Sequence, residues 1–211
     1  MNLDFHQPRK GKRLMTNVVL DVDQVLTDFD GHWRQCAEQV LGREIPRVGG
    51  YFHLRDRYVL SAAECDAVWR AYHADEWHRL PLYLHAADLV YALEDLGCTV
   101  WAVTSIDERH HAARAESLAG LIPAARIVCV GYATHPNEKA DVLHHLGAVA
   151  FLDDHPANVN AALGTVLVSA LLDYGYEGLE TPEHGVTVID DVMDFPVLVE
   201  QLLKRTGRMV A

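Results

Sequence analysis

Short apolar runs alternate with segments of helical spacing along most of this chain, and that alternation is the strongest constraint on its fold. The runs are rich in β-branched residues, which favour buried strands. They are NVVLDV (17–22), CTVWAVT (98–104), ARIVCV (125–130), AVAFL (148–152), TVLVSA (165–170) and a late run, VTVI (186–189), which predicts an edge strand. Because helical segments separate these runs, the sequence predicts an α/β fold with a doubly wound parallel sheet.

Helical spacing of apolar residues is the second part of the pattern. It predicts helices over 86–97, 107–120, 137–147, 156–164 and 194–205. From about residue 30 to residue 80 no strand is expected, and helices are predicted over 31–42 and 61–74. A crossover between parallel strands needs only about a dozen residues. Residues 30–80 are therefore predicted to form a small helical cap, inserted into a core of residues 16–29 and 81–211.

Composition narrows the class of protein. The 211 residues suffice for one domain with a sizeable insertion. The formal net charge is −12, although residues 1–15 form a basic tail that we expect to be flexible. So acidic a chain repels long nucleic acids, whereas a small anion can bind where a metal ion reverses the local field.

Neither a signal peptide nor a run of about 18 apolar residues is found, so we expect no membrane partner and a cytoplasmic location. The oligomeric state is not indicated.

Residues able to perform chemistry collect where the predicted strands end or the following helices begin. They are two pairs of carboxylates, two hydroxyls and a lysine: Asp21 and Asp23, Asp153 and Asp154, Thr104 and Ser105, and Lys139. The carboxyl ends of parallel strands meet at one edge of the sheet, where open α/β sheets bind ligands. Buried carboxylates are costly unless a cation or a shared proton compensates. Hard oxygen ligands beside a substrate phosphate suit Mg²⁺, so the sequence predicts a magnesium site there.

The order of these residues resembles the four motifs of the haloacid dehalogenase (HAD) superfamily. The motifs are DVDQVLTD, a strand ending in Thr-Ser, a lysine, and a strand ending in Asp-Asp. The resemblance covers about residues 17–205 and implies a Rossmann-like core with a C1-type cap after the first motif. DVDQVLTDF, VTS and FLDD are further similar to the 5′(3′)-deoxyribonucleotidase branch. The resemblance implies a Mg²⁺-dependent phosphatase that acts on a small phosphorylated substrate.

The resemblance also implies a role for each motif. Asp21 would be the nucleophile that forms an aspartyl-phosphate, and Asp23 would protonate the leaving alcohol and then take a proton from water. Thr104 and Ser105 would hydrogen-bond the phosphoryl oxygens. Lys139 would neutralise negative charge between the nucleophile and the phosphate.

The implied Mg²⁺ ligands are Asp21, the main-chain carbonyl of Asp23, and Asp153. Asp154 would lie in the outer shell or bind through water. One position departs from the family pattern, because Gln24 stands where a glycine is usual. A glycine there permits a sharp turn and a close approach to the phosphate. Gln24 therefore affects the expected loop geometry but removes no catalytic group.

Substrate choice is expected to depend on the cap. It holds six aromatic residues within 27 positions: Tyr51, Phe52, Tyr58, Trp69, Tyr72 and Trp77. These aromatic residues form either a stacking platform for a nucleobase or the small core of the cap. Arg55 and Arg57 either contact an anion or are solvated. The leading hypothesis is a 5′(3′)-nucleotidase-like phosphatase. The alternatives are a phosphatase for a sugar phosphate or another small metabolite, and a non-catalytic phosphate-binding protein, which only Gln24 and the 13 histidines favour.

Overall fold

Six parallel strands form one sheet at the centre of the molecule. The computed structural model describes residues 16–132 and 137–208, so the predicted basic tail lies outside the described residues. The strands are β1 (Thr16–Leu20), β2 (Cys98–Thr104), β3 (Ile127–Cys129), β4 (Ala148–Asp153), β5 (Val168–Leu172) and β6 (Thr187–Ile189). Their order is β3-β2-β1-β4-β5-β6, and every neighbouring pair is parallel. The prediction of a doubly wound parallel sheet is confirmed, including the edge strand β6.

Helices connect the strands from β1 to β5 as the sequence predicts, and a segment without a helix joins β5 to β6. The helices are α1 (Phe29–Leu41), α2 (Leu54–Arg57), α3 (Ala62–Asp75), α4 (Ala86–Asp95), α5 (His111–Ser117), α6 (Asn137–Leu146), α7 (Pro156–Ala161) and α8 (Asp194–Thr206). A capping box starts α3, because Ser61 and Glu64 satisfy each other's backbone N–H groups. Within the described residues, no helix combines the length and the apolar character needed to cross a membrane.

Several predicted boundaries differ from the structure by a few residues, and two of these differences have a clear local reason. β5 begins at Val168 rather than at Thr165, because the backbone N–H groups of Thr165 and Val166 bond to the carbonyl of Ala162 and close the turn after α7. The helix predicted over 107–120 is shorter, since a 3₁₀ turn occupies Glu108–His110 and α5 ends at Ser117.

The hydrophobic core lies on both faces of the sheet. On β1, Val18 and Leu20 pack into one cluster with residues of α4 and α8, while Val19 packs into the other with residues of α6 and α7. All three side chains are fully buried. This double burial explains why the strands are continuous apolar runs instead of alternating ones.

The segment between β1 and α4 has a hydrophobic cluster of its own. It contains α1, α2 and α3 and buries Trp33, Tyr58, Val68, Tyr72 and Trp77. Ile106, from the loop after β2, also packs into this cluster. The segment predicted as a cap is thus helical and contacts the core close to the carboxyl end of β2.

Candidate active site

The ends of three adjacent strands place the predicted residues side by side. Asp21 follows β1 directly, Thr104 is the last residue of β2, and Asp153 is the last residue of β4. Leu20 and Leu152 are register partners, and the backbone N–H of Asp21 donates to the carbonyl of Leu152 at 2.8 Å. β1 lies between β2 and β4, where the direction of strand addition reverses. Ligands of open α/β sheets bind at such a point.

Lys139 on α6 links the first and the last of these strand ends. Its Nζ donates to Asp21 Oδ1 at 2.7 Å and to Asp153 Oδ2 at 2.6 Å, and only 1% of the side chain is exposed. Burial favours the neutral amine, but the charges of Asp153 and Asp21 outweigh it and raise the pKa of Lys139. The two carboxylates therefore favour the charged form of this buried lysine.

Three buried carboxylates form a compact cluster around this lysine. Oxygen atoms of Asp21, Asp153 and Asp154 all lie within 4.8 Å of one another. Burial, reinforced by the charges of Asp153 and Asp23, raises the pKa of Asp21 to about 7 although Lys139 lowers it. Burial, with the charges of Asp153 and Asp21, likewise raises the pKa of Asp154 well above its ordinary value. Burial disfavours the charged form of these carboxylates, and a divalent cation stabilises that form. The cluster is therefore suited to binding a divalent cation.

Asp153 and Asp154 differ in how far their oxygens are already engaged. Asp153 Oδ1 accepts from the backbone N–H of His155 at 2.8 Å, and both Asp153 oxygens accept from Asn158 Nδ2 at 3.0 and 3.1 Å. With Lys139 on Oδ2, Asp153 has no exposed surface, whereas Asp154 lines the cavity described below. The sequence predicts Asp153 as the direct ligand and Asp154 in the outer shell or bound through water, and both carboxylates belong to the cluster.

Asp23 stands apart from the carboxylate cluster. Both of its side-chain oxygens lie 2.8 Å from Nη2 of Arg114, and Thr27 Oγ1 lies 3.2 Å from Oδ1. Neither partner is predicted by the sequence motifs. The only local signal was for Thr27, which lies four residues after Asp23 in the first motif. Arg114 lies within a polar helical segment that carries no recognisable motif.

The two hydroxyls predicted to bind phosphate occupy different positions. Ser105 lines the cavity. Thr104 is fully buried, and its Oγ1 has no hydrogen-bond partner among the described residues. Buried hydroxyls normally have a partner, so the unpaired Thr104 hydroxyl at this strand end is consistent with a polar ligand there.

Gln24 adopts the backbone conformation that a glycine would favour. Its φ is 63°, in the left-handed region. Four hydrogen bonds hold it there. Its backbone N–H donates to the carbonyl of Thr27 at 2.9 Å, and its carbonyl accepts from the Tyr174 hydroxyl at 2.7 Å. Its Oε1 accepts from the Tyr83 hydroxyl at 2.9 Å and from the backbone N–H of Asp30 at 3.2 Å. Tertiary bonds offset the steric cost of a side chain at this φ. The departure from the family pattern therefore leaves the turn intact.

A cavity of about 1040 Å³ opens over the cluster, between the sheet edge and the predicted cap. Asp21, Asp23, Lys139 and Asp154 are part of its wall. The aromatic residues that also line it are Phe29, Phe52, Trp69, Trp77, Tyr132 and Tyr176. Such a space holds a substrate much larger than phosphate itself.

The cap aromatics divide between the core and the cavity, and stacking on a nucleobase stays a prediction. Tyr58 and Tyr72 are buried in the hydrophobic cluster, whereas Phe52 and Trp69 are partly exposed to the cavity. Arg57 matches neither alternative, because its buried guanidinium pairs with a buried Asp30 at 2.6 Å.

Comparison with known proteins assigns the fold. No protein-family model matches the chain, and no curated protein is similar to it in sequence. Solved structures do match. A haloacid dehalogenase-like family hydrolase from Xanthomonas campestris has a TM-score of 0.61 at 17% identity, over 94% of this chain and 100% of that one. A HAD family hydrolase from Deinococcus radiodurans with bound phosphate and sodium has a TM-score of 0.57 at 17% identity, over 94% and 99%. A predicted phosphoglycolate phosphatase from Haemophilus somnus has a TM-score of 0.58 at 16% identity, over 88% and 98%. The chain therefore has the haloacid dehalogenase-like fold that its motifs predict.

Proposed function

We propose that this protein is a Mg²⁺-dependent phosphomonoester hydrolase that works through an aspartyl-phosphate. The observation that carries the proposal is the buried Lys139, which joins Asp21 to Asp153 within a carboxylate cluster that opens into a large cavity. A structure with the same fold contains phosphate, which supports a phosphate site in this fold. The fold alone does not choose the reaction, so the proposal depends on the site.

The side chains suit the two steps of such a reaction. Lys139 holds Oδ1 of Asp21, so we assign the attack on phosphorus to Oδ2. Asp23, in the cavity wall, protonates the leaving oxygen and later takes a proton from the attacking water. Thr104 and Ser105 donate to phosphoryl oxygens, and the Lys139 cation offsets the charge that builds up on them.

The metal site that we propose uses Asp21, Asp154 and the main-chain carbonyl of Asp23. Asp153 then orients Lys139 instead of binding the metal directly, because its oxygens already accept from Lys139, His155 and Asn158. Bound Mg²⁺ supplies positive charge that neutralises phosphoryl oxygens.

A nucleotide is the substrate class that we propose, as in a 5′(3′)-nucleotidase with a C1-type cap. Phe52 and Trp69 are partly exposed aromatic side chains in the cavity wall, and the cavity is large enough for a base and a sugar beyond the phosphate. Stacking on an aromatic side chain contributes about 1–3 kcal/mol per base. The cytoplasmic location stays a prediction from the sequence.

A phosphatase assay with and without Mg²⁺ tests the proposed function. Purified protein is incubated with a panel of nucleoside monophosphates, sugar phosphates and small phosphorylated acids, and released phosphate is measured. We expect hydrolysis with Mg²⁺, loss of activity in EDTA, and recovery when Mg²⁺ is restored. Failure on the whole panel, together with stabilisation by beryllofluoride, would instead support a non-catalytic phosphate-binding protein.

Mg²⁺ is expected to raise the melting temperature more at pH 8 than at pH 5. Burial raises the folded-state pKa of Asp21 to about 7 and also raises that of Asp154, while unfolded aspartates titrate near 4. The metal-free fold is therefore favoured by protonation at low pH and loses stability as pH rises through that window. Mg²⁺ replaces those protons above pH 7. Scanning calorimetry at both pH values measures the melting temperature with Mg²⁺ and, as the control, with NaCl of equal ionic strength. An equal rise in melting temperature at pH 5 and pH 8 would contradict the prediction.

The variant Trp69→Leu tests the nucleotide proposal. Because Trp69 lines the cavity, we expect KM for a nucleoside monophosphate to rise about tenfold, from lost stacking, while KM for ringless glycerol 2-phosphate changes little. Tyr91→Leu is the matched control, since Tyr91 is exposed on α4. Equal changes for both esters would reject the base platform and favour the sugar phosphate alternative.

A further inference from the structure

Arg114 is a buried cation that neither the motifs nor the proposed mechanism uses. It lies on α5, and its side chain has no exposed surface. Its Nη2 donates to both oxygens of Asp23 at 2.8 Å. Its guanidinium carbon also lies 5.2 Å from the ring centroid of Trp77, in the predicted cap.

The surroundings of Arg114 leave it few other polar partners. Its Nε and Nη1 are buried and have no hydrogen-bond partner among the described residues. A buried guanidinium is costly unless it is paired, and Asp23 provides its only ion pair in the described part of the chain. The position of the guanidinium is therefore set by Asp23 and by the face of Trp77.

The pairing also restricts Asp23. Its Oδ1 lies within reach of two donors, Arg114 Nη2 and Thr27 Oγ1, whereas Oδ2 has only Arg114. About a quarter of the Asp23 side chain is exposed, and it forms part of the cavity wall. Oδ1 is thus the anchored oxygen, and Oδ2 is the better placed to exchange a proton with a ligand.

We infer that Arg114 is a positioning residue, which holds the Asp23 carboxyl in place for the departure of the leaving group. This role rests on the proposed function. When Asp21 Oδ2 bonds to phosphorus, the ester P–O bond breaks, and its electron pair stays on the leaving oxygen, which takes the proton from Asp23. In the second step water bonds to phosphorus, the Asp21–phosphorus link breaks, and Asp23 accepts the proton of the water. Asp23 lines the cavity and Arg114 does not, so Arg114 acts through Asp23.

The test uses two aryl phosphates that differ by one nitro group, so that their leaving groups differ in their need for a proton. p-Nitrophenyl phosphate releases a stable anion, whereas phenyl phosphate releases a poorer one. We expect Arg114→Met to lower kcat/KM for phenyl phosphate about tenfold or more, within the range of lost general acid catalysis, and to change that for p-nitrophenyl phosphate much less. Arg114→Lys keeps one donor and should recover part of the loss. Arg126→Met is the matched control, because Arg126 is a surface residue 3.7 Å from Glu94.

A double-mutant cycle separates this role from a general loss of structure. Asp23→Asn should reproduce the leaving-group effect, and adding Arg114→Met to it should change the ratio of the two rates no further. The double variant also removes both charges of the pair, so neither is left buried alone. Equal loss on both esters, or a further change of the ratio in the Asp23→Asn background, would overturn the positioning role. Wild-type protein inactive on both esters and on the whole panel of natural phosphomonoesters would overturn the proposed function itself.

Discussion

Replacing Asp21 with Asn is expected to lower kcat at least about 10³-fold, because the carboxylate that attacks phosphorus is lost. The amide is nearly isosteric, and its Oδ1 can still accept from Lys139, which also retains Asp153. The packing around the site should therefore persist. Steady-state hydrolysis of the best substrate of the panel measures the effect. A variant with full rate would exclude the aspartyl-phosphate route.

The same variant is expected to be at least as stable as the wild type at pH 8. Burial raises the folded-state pKa of Asp21 to about 7, so the folded wild type loses stability as pH rises from near 4 towards 7, and an amide does not titrate. The advantage of the variant should disappear at low pH. Urea unfolding at pH 5 and pH 8 measures it. Asp141→Asn, at an exposed position of the same helix as Lys139, is the matched control and should change neither rate nor stability.

The parts of the site that the sequence predicts are those set by the strands. Asp21, Thr104 and Asp153 end β1, β2 and β4, and a parallel sheet must bring such ends to one edge. Lys139 is found by its motif, and its long side chain reaches that edge from α6. The apolar runs therefore predict both the fold and the positions of the main charged groups.

The remaining features depend on contacts between distant segments. Arg114 reaches Asp23 across 91 residues of sequence, and no spacing rule predicts that pair. The hydrogen bonds that Asp153 accepts come from donors on α6 and α7, and the sequence pattern does not predict the contact with Asn158. The positive φ of Gln24 is likewise maintained by distant side chains. Local patterns predict none of these, because each depends on how helices and loops pack on the sheet.

Replacing Lys139 with Met is expected to impair both catalysis and stability. The cation next to the nucleophile would be lost, and the loss of one such electrostatic contact costs about 10²–10³ in kcat. The carboxylates of Asp21 and Asp153 would stay buried without their partner, and breaking a buried ion pair costs about 3–5 kcal/mol of unfolding free energy. Lys204→Met, at an exposed pair with Glu200 on α8, is the matched control and should stay within about 0.5 kcal/mol of wild type.

The pH dependence distinguishes an electrostatic role of Lys139 from a packing role. Lys139 lowers the pKa of Asp21 and of Asp154, so its removal should raise both further. The folded variant would then bind more protons than the unfolded chain from about pH 4 upwards, and its stability would fall as pH rises. We expect the loss of unfolding free energy to be largest at pH 8 and small at pH 5. An equal loss of unfolding free energy at both pH values would show that methionine only disturbs packing. In that case Lys139→Arg, which keeps the charge, should be as destabilised as Lys139→Met.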